Sequence, residues 1–303
     1  MSENAATTLK RAPSYRELRN TLRRLREATR PKISAAAAAR HINVVSTTIT
    51  RYEKGEIETI KPVYVRALCE LYGAPPEIAA RLSELAAAQR SATPQWWEGF
   101  GDGSIPKWFR TYLGLEDEAC RIAEYGWVVP GILQTEEYAR HALSQGPLAG
   151  KKSLIEEQVA VRLRRQKILD RELERRPTLE VFLDESVLRR PVGGRAVLGR
   201  QLLHLVEASD RANVTIRVAE FEADAEASAA LYAGPFIVLD FVDDDDPGAL
   251  WLEHPVGALV LDDEEELTTY RRILARLNKA AASEKRSREL MKQAAAGLLG
   301  TAA

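Results

Sequence analysis

Between Ile33 and Gly55 the chain has room for only two short helices and one tight turn, and the residue types there ask for that arrangement. The alanine run at residues 35–39 is the strongest helix-forming composition available. Ile33, Ala38 and Ile42 recur at a spacing that sets them inward on one helical face. Asn43 comes next, where a turn needs a residue tolerant of left-handed geometry. A further helix is expected through Ser46-Thr47-Thr48-Ile49-Thr50-Arg51-Tyr52-Glu53, stopped by Gly55. Ala39 is small where the two helices must cross, while Ile49 and Tyr52 are apolar anchors beneath the second. Ser46, Thr47, Thr50 and Arg51 are left facing outward.

The flanking sequence builds a helical domain around that unit. Tyr15, Leu18, Leu22 and Leu25 fall three and four apart, one face of a first helix with Ser14 as its cap and Pro31 beyond its end. Pro62 starts a fourth helix that ends at Gly73, and Pro75-Pro76 opens a fifth running to about Arg90. The pattern predicts an arm at residues 1–13 and an all-α, five-helix domain at 14–90. The segment 91–105 carries Pro94 and three glycines but also Trp96, Trp97 and Phe100, so it is expected to dock on the second domain rather than swing freely.

From residue 106 to 303 helical stretches (106–118, 136–144, 153–170, 196–209, 263–281, 284–298) alternate with short β-rich runs. The reading is an α+β domain of about five strands, the later ones antiparallel because their connections are too short for crossovers, with a C-terminal helical segment after them. The whole chain is therefore a mixed fold of an all-α and an α+β domain. The last helix carries an apolar stripe of Leu290, Ala294 and Leu298, suited to dimerisation or to capturing a partner.

Charge separates the two halves. Residues 1–92 carry 16 Lys/Arg against 9 Asp/Glu, and the remainder carries 27 against 35. A basic domain joined to an acidic one points to a polyanion binder coupled to a second task. Cys69 and Cys120 are far apart and lack metal-ligand spacing, which fits a reducing cytoplasm. No uncharged apolar run reaches the ~18–20 residues a bilayer span needs, and the first residues lack a secretory pattern. Membrane, secreted and disulfide-scaffold classes are excluded.

Two helices, a tight turn and a polar-faced second helix make a helix-turn-helix, and with the basic balance they point to double-stranded DNA. Arg51 can donate two bonds to guanine, and the hydroxyls and methyls of Ser46, Thr47 and Thr50 can read bases less strictly. Arg16, Arg19, Arg23, Thr48, Lys54 and Lys61 are expected on phosphates, where they fix register without reading sequence. Arg26 continues the same arginine stripe. The competing reading of that stripe is a solvated helix face.

These residues also carry a resemblance. The run from Ile33-Ser34 to Arg51-Tyr52-Glu53-Lys54-Gly55 resembles the Xre, lambda-repressor-like helix-turn-helix, and residues 63–73 are similar to that family's fourth helix. Trp96-Trp97, Tyr112-Leu-Gly-Leu-Glu116, Val129-Pro-Gly-Ile-Leu-Gln-Thr135, Leu183-Asp-Glu185, Arg190-Pro-Val-Gly-Gly194 and Leu252-Glu-His254 extend it. Together they resemble a group of antitoxin-like regulators of filamentous soil bacteria, in which an Xre domain precedes a domain of unassigned function. The resemblance implies transcriptional regulation beside a gene for a small partner protein. Two positions depart from it: Ala35 stands where the family usually has a phosphate-contacting Gln, and Val45 where it usually has a Ser cap. The departures bear on affinity rather than fold.

In the second domain Asp184-Glu185 and Glu253-His254 could act as general base and acid, or simply tie loops to strand ends. No nucleophile elbow, phosphate loop or metal-binding helix accompanies them, so no catalytic site and no cofactor are assigned. His41, His141, His204 and His254 are scattered and argue against zinc. Trp97, Phe100, Tyr125, Trp127 and Trp251 could line a ligand pocket, or be plain core. The expectation is a cytoplasmic, sequence-specific DNA-binding regulator acting as a homodimer, its second domain receiving a signal from a protein partner or a small molecule. The alternatives are an antitoxin whose main act is sequestering a small protein, and a DNA-tethered hydrolase.

Overall fold

The computed structural model describes residues 15–53, 60–90, 95–101, 103–146, 151–222, 230, 232–242, 246–254 and 257–300. The chain divides into two compact units, Met1–Gln95 and Trp96–Ala303.

The first unit is helical: α1 (Tyr15–Ala28), α2 (Ala35–His41), α3 (Thr48–Glu53), α4 (Pro62–Tyr72) and α5 (Pro76–Arg90). Its core gathers the predicted stripe of α1, Leu18 and Leu22, with Ala38, Ala39, Ile49, Tyr52, Val65, Leu68 and Leu82. Ser34 caps α2 by accepting a bond from the Ala37 N–H. Gly73 ends α4 in the left-handed conformation that its position requires, φ 69°, with its N–H on the carbonyls of Cys69 and Glu70. The expected Ser14 cap lies outside the described residues.

The second unit is a six-stranded sheet with helices on both faces. After α6 (Lys107–Glu118) come β1 (Arg121–Gly126), a 3-10 turn at Gly131–Leu133, α7 (Glu136–Ser144), α8 (Lys152–Arg165) and β2 (Thr178–Asp184). Next along the chain are α9 (Ser186–Arg189), α10 (Arg195–Ala208), β3 (Val214–Ala219), β4 (Phe236–Asp240), β5 (Ala249–His254), β6 (Gly257–Leu261), α11 (Glu264–Ala280) and α12 (Glu284–Leu299). The strand order is β3-β2-β1-β4-β5-β6. β1, β2 and β3 run parallel, joined by helical crossovers, and β4, β5 and β6 are antiparallel, as their short connections dictate. The sheet has one strand more than the five expected, because β6 pairs with β5 as an edge strand.

Strand alternation sorts the core. One face carries Ile122, Val181, Leu183, Ile216, Leu239 and Trp251 under α6, α7, α10 and α12. The other carries Ala123, Tyr125, Phe182, Phe236 and Val238 under α11. Trp97 is buried with Ile105, Leu113 and Val161, so from Trp96 onward the aromatic segment packs on the second unit, and Arg110 donates to the carbonyls of Trp97 and Phe100. The apolar stripe of α12 is partly buried against its own domain. Leu290, Ala294 and Leu298 pack on the main core beside the buried Met291 and Ala295, which corrects the expectation of an open docking stripe. Among the described residues no helix is long and apolar enough to cross a membrane.

Candidate nucleic-acid interface

The turn between α2 and α3 is built as its residues require. Asn43 takes φ 54°, and the Asn43 and Val44 N–H groups close back on the carbonyls of Arg40 and Ala39. Ala39 is wholly buried, which lets the two helices meet, and Ile49 and Tyr52 anchor α3 from beneath. α3 begins later than the sequence suggested. The Thr48 N–H bonds the Val45 carbonyl and the Arg51 N–H bonds the Thr47 carbonyl, so Ser46 and Thr47 form a turn and regular helix starts at Thr48. Val45 stands outside the helix with 71% of its surface exposed.

Ser46, Thr47 and Arg51 are exposed, and Thr50 is partly covered. Thr50 and Arg51 lie on α3, and Ser46 and Thr47 lie in the turn that leads into it. Thr48 is half-buried at the helix start, and Lys61 is exposed ahead of α4 with its ammonium 5.4 Å from the centre of the Tyr64 ring. Arg23 is partly exposed, 3.6 Å from Glu27, and Arg19 is partly covered. Lys54 lies outside the described residues. Arg16 must be corrected: it is only 3% exposed, enclosed by its own domain, so no phosphate reaches it. The arginine stripe borders the core face of α1 rather than opposing it, and its two ends are drawn inward.

Arg26 at the other end has a positioning task that sequence reasoning missed. Its Nε and Nη2 donate to the two carboxylate oxygens of Glu53 at 2.7 and 2.8 Å, and its Nη1 donates to the Ile33 carbonyl at 3.1 Å. Both side chains are buried. This fork joins α1 to the last residue of α3 and to the approach to α2, which sets the angle at which α3 is presented. The Glu53 bond holds the guanidinium's proton more firmly than usual. The partners are 27 residues apart, and only the one acidic residue at the end of α3 hinted at the pairing.

The second unit does not gather the five aromatic candidates into one pocket. Trp97 and Phe100 lie in the cluster with Ile105. Tyr125 and Trp251 fall on opposite faces of the sheet, Tyr125 against Phe236 and Trp251 against Tyr112 and Trp108. Trp127 is 39% exposed beyond the end of β1, its indole N–H on the Tyr125 hydroxyl. Alternation along the strands forbids the grouping that mere aromatic content suggested. The acidic pairs have local duties. Asp184 accepts from the Ser186 N–H, and Glu185 accepts from the Phe221 N–H and from Arg189. Glu253 and His254 are exposed at the end of β5.

The first unit thus has the architecture of a helix-turn-helix domain, the class of module that lays a helix into a DNA groove. A family model described as "Helix-turn-helix domain" matches residues 17–82. A second, described as "Domain of unknown function (DUF5753)", matches residues 109–293, more than half of the chain, and the chain belongs to that family. No curated protein and no solved structure matches it.

Proposed function

We propose that this chain is an Xre-type, sequence-specific DNA-binding regulator that works in the cytoplasm as a homodimer, with its second domain receiving a signal. The observation that carries the reading is the row of Ser46, Thr47 and Arg51, open to solvent directly above the buried Ile49 and Tyr52. The basic balance of residues 1–92 supplies the attraction to phosphate. In a dimer two such helices about 34 Å apart read half-sites one helical turn apart. The second domain is read as a receiver without turnover, since Asp184 and Glu185 are occupied in local bonds. The signal is a small molecule or a small protein encoded beside it; an antitoxin that acts by sequestering that protein is the neighbouring reading.

The test is binding of the purified protein to the DNA upstream of its own gene at two salt concentrations, with and without the adjacent small protein. Salt-sensitive, selective binding is expected. Arg51→Ala costs about 1–3 kcal/mol and relaxes base preference, while Arg23→Ala weakens all sequences alike and reduces the salt slope by about one. Unchanged binding in both variants removes α3 from the groove. A partner that changes the binding favours the protein signal, and one that leaves it unchanged favours a small molecule. DNA binding that is unselective at both salts, together with tight partner capture, favours the sequestering antitoxin.

A further inference from the structure

On the sheet face that carries Ile122, one row across four strands reads Val181, Glu124, Ile237 and Trp251. Glu124 is the one polar member. Glu253, two residues beyond Trp251, points from the same face at the strand end. Above them stand Tyr112 and Glu116 of α6 and Arg162 and Arg165 of α8, one helical turn apart.

The two arginines differ in how far they are satisfied. Arg165 is buried, its Nε and Nη2 donate to both oxygens of Glu116 at 2.8 and 2.6 Å, and its guanidinium lies over the rings of Phe109 and Tyr112. Arg162 is half-buried and donates from Nη1 alone, 2.6 Å to the Gln134 side-chain oxygen. Gln134 is itself fixed by its bond to the Val129 carbonyl. Among the described residues Arg162 forms no ion pair. Burial, then the like charge of Arg165, push it down to about 10. Gly131 keeps room for both: a Cβ there would stand 2.9 Å from Arg165 Nη1 and 3.8 Å from Arg162 Nε.

Glu124 forms no hydrogen bond among the described residues, and burial raises it to about 8, so it is largely neutral at pH 7. Glu253 is exposed and lies within electrostatic reach of both Arg162 and Glu124, yet bonds to neither. In this cluster Arg165 is paired with Glu116, whereas Arg162 and Glu253 form no ion pair among the described residues. A half-buried guanidinium with open donors favours a carboxylate, which it can grip at two points. A simple anion would face Glu253, and a simple cation would face Arg162.

We propose that this cluster binds a small zwitterion of the amino-acid class, with its carboxylate on Arg162 and its ammonium on Glu253. The proposal rests on the second domain being a receiver, and this ligand is then its signal. Binding itself is measured without DNA, so failure here and failure of the operator reading are separate results.

All five tryptophans lie in the second unit, and Trp251 packs against both Trp108 and Tyr112, so tryptophan fluorescence of the full chain reports on this domain. The common amino acids are titrated singly, with acetate and methylammonium as controls at matched ionic strength. A saturable change with at least one amino acid, absent with the controls, is expected. Arg162→Gln and Glu253→Gln should each weaken it by about tenfold or more. Glu253 is exposed, so that variant keeps its melting temperature and carries the test if Arg162→Gln fails to fold. A response to acetate alone, a response that survives in Glu253→Gln, or no response to any amino acid overturns the proposal.

Discussion

Arg26 and Glu53 make the firmest residue-scale case that structure in the first unit serves presentation of α3. Both are buried, and each neutralises the other's charge deep in the domain. Glu53→Gln leaves a buried guanidinium half-served and should cost about 3 kcal/mol, read by chemical denaturation, with weaker DNA binding even where folding is complete. The charge of Glu124 makes a separate, pH-dependent prediction. Its folded value of about 8 lies above the ordinary 4.5, chiefly through burial. Between those values the folded state holds more protons than the unfolded one, so stability falls as pH rises through that window and levels off above it. The drop is at most about 5 kcal/mol at ~1.4 kcal/mol per unit. Tryptophan-monitored unfolding across the window shows it, and Glu124→Gln should flatten the slope. An unchanged slope in that variant removes Glu124 as the cause.

Among the elements, α3 shows how a boundary shifts an energetic expectation. With the cap at Val45, restoring Ser there would add about 1 kcal/mol of helix stability. Regular helix instead starts at Thr48, and Val45 is an exposed turn residue whose carbonyl, not its side chain, makes the bond. Val45→Ser should therefore alter stability by no more than about 0.5 kcal/mol, and a larger gain in thermal melting would return the cap to position 45. α12 teaches the reverse lesson. Its apolar stripe reads as a surface for another chain, but Met291 is fully buried against α10 and the sheet. Met291→Ala should destabilise the second unit by about 2–5 kcal/mol, equally at low and high protein concentration. A concentration-dependent loss would instead mark a subunit seam.

At the level of the whole molecule, composition and periodicity were enough for the broad plan. Proline and glycine positions marked the ends of α4 and the start of α5, steps of three and four marked the buried face of α1, and short connections made β4, β5 and β6 antiparallel. The exposure of Ser46, Thr47 and Arg51 was legible because the buried positions Ile49 and Tyr52 of the short α3 leave its other side and the turn before it in solvent. These are local rules, and a local pattern carries them. The fate of individual polar and aromatic side chains was not legible. Arg16 and Arg26 look alike in the stripe with Arg23, yet the fold encloses the first two and leaves the third partly in water. The five candidate aromatics are scattered: Tyr125 and Trp251 are parted by the two faces of the sheet, Trp97 and Phe100 sit in a cluster of their own, and Trp127 lies beyond the end of β1. Arg162 and Glu253 come from segments about ninety residues apart, and only the crossover from β1 to β2 and the pairing of β5 bring them into one cluster. Periodicity settles which face of an element is apolar. Which charges are buried, which are paired and which are left waiting for a ligand depends on packing between distant segments, where desolvation and a few ångströms of geometry decide the outcome.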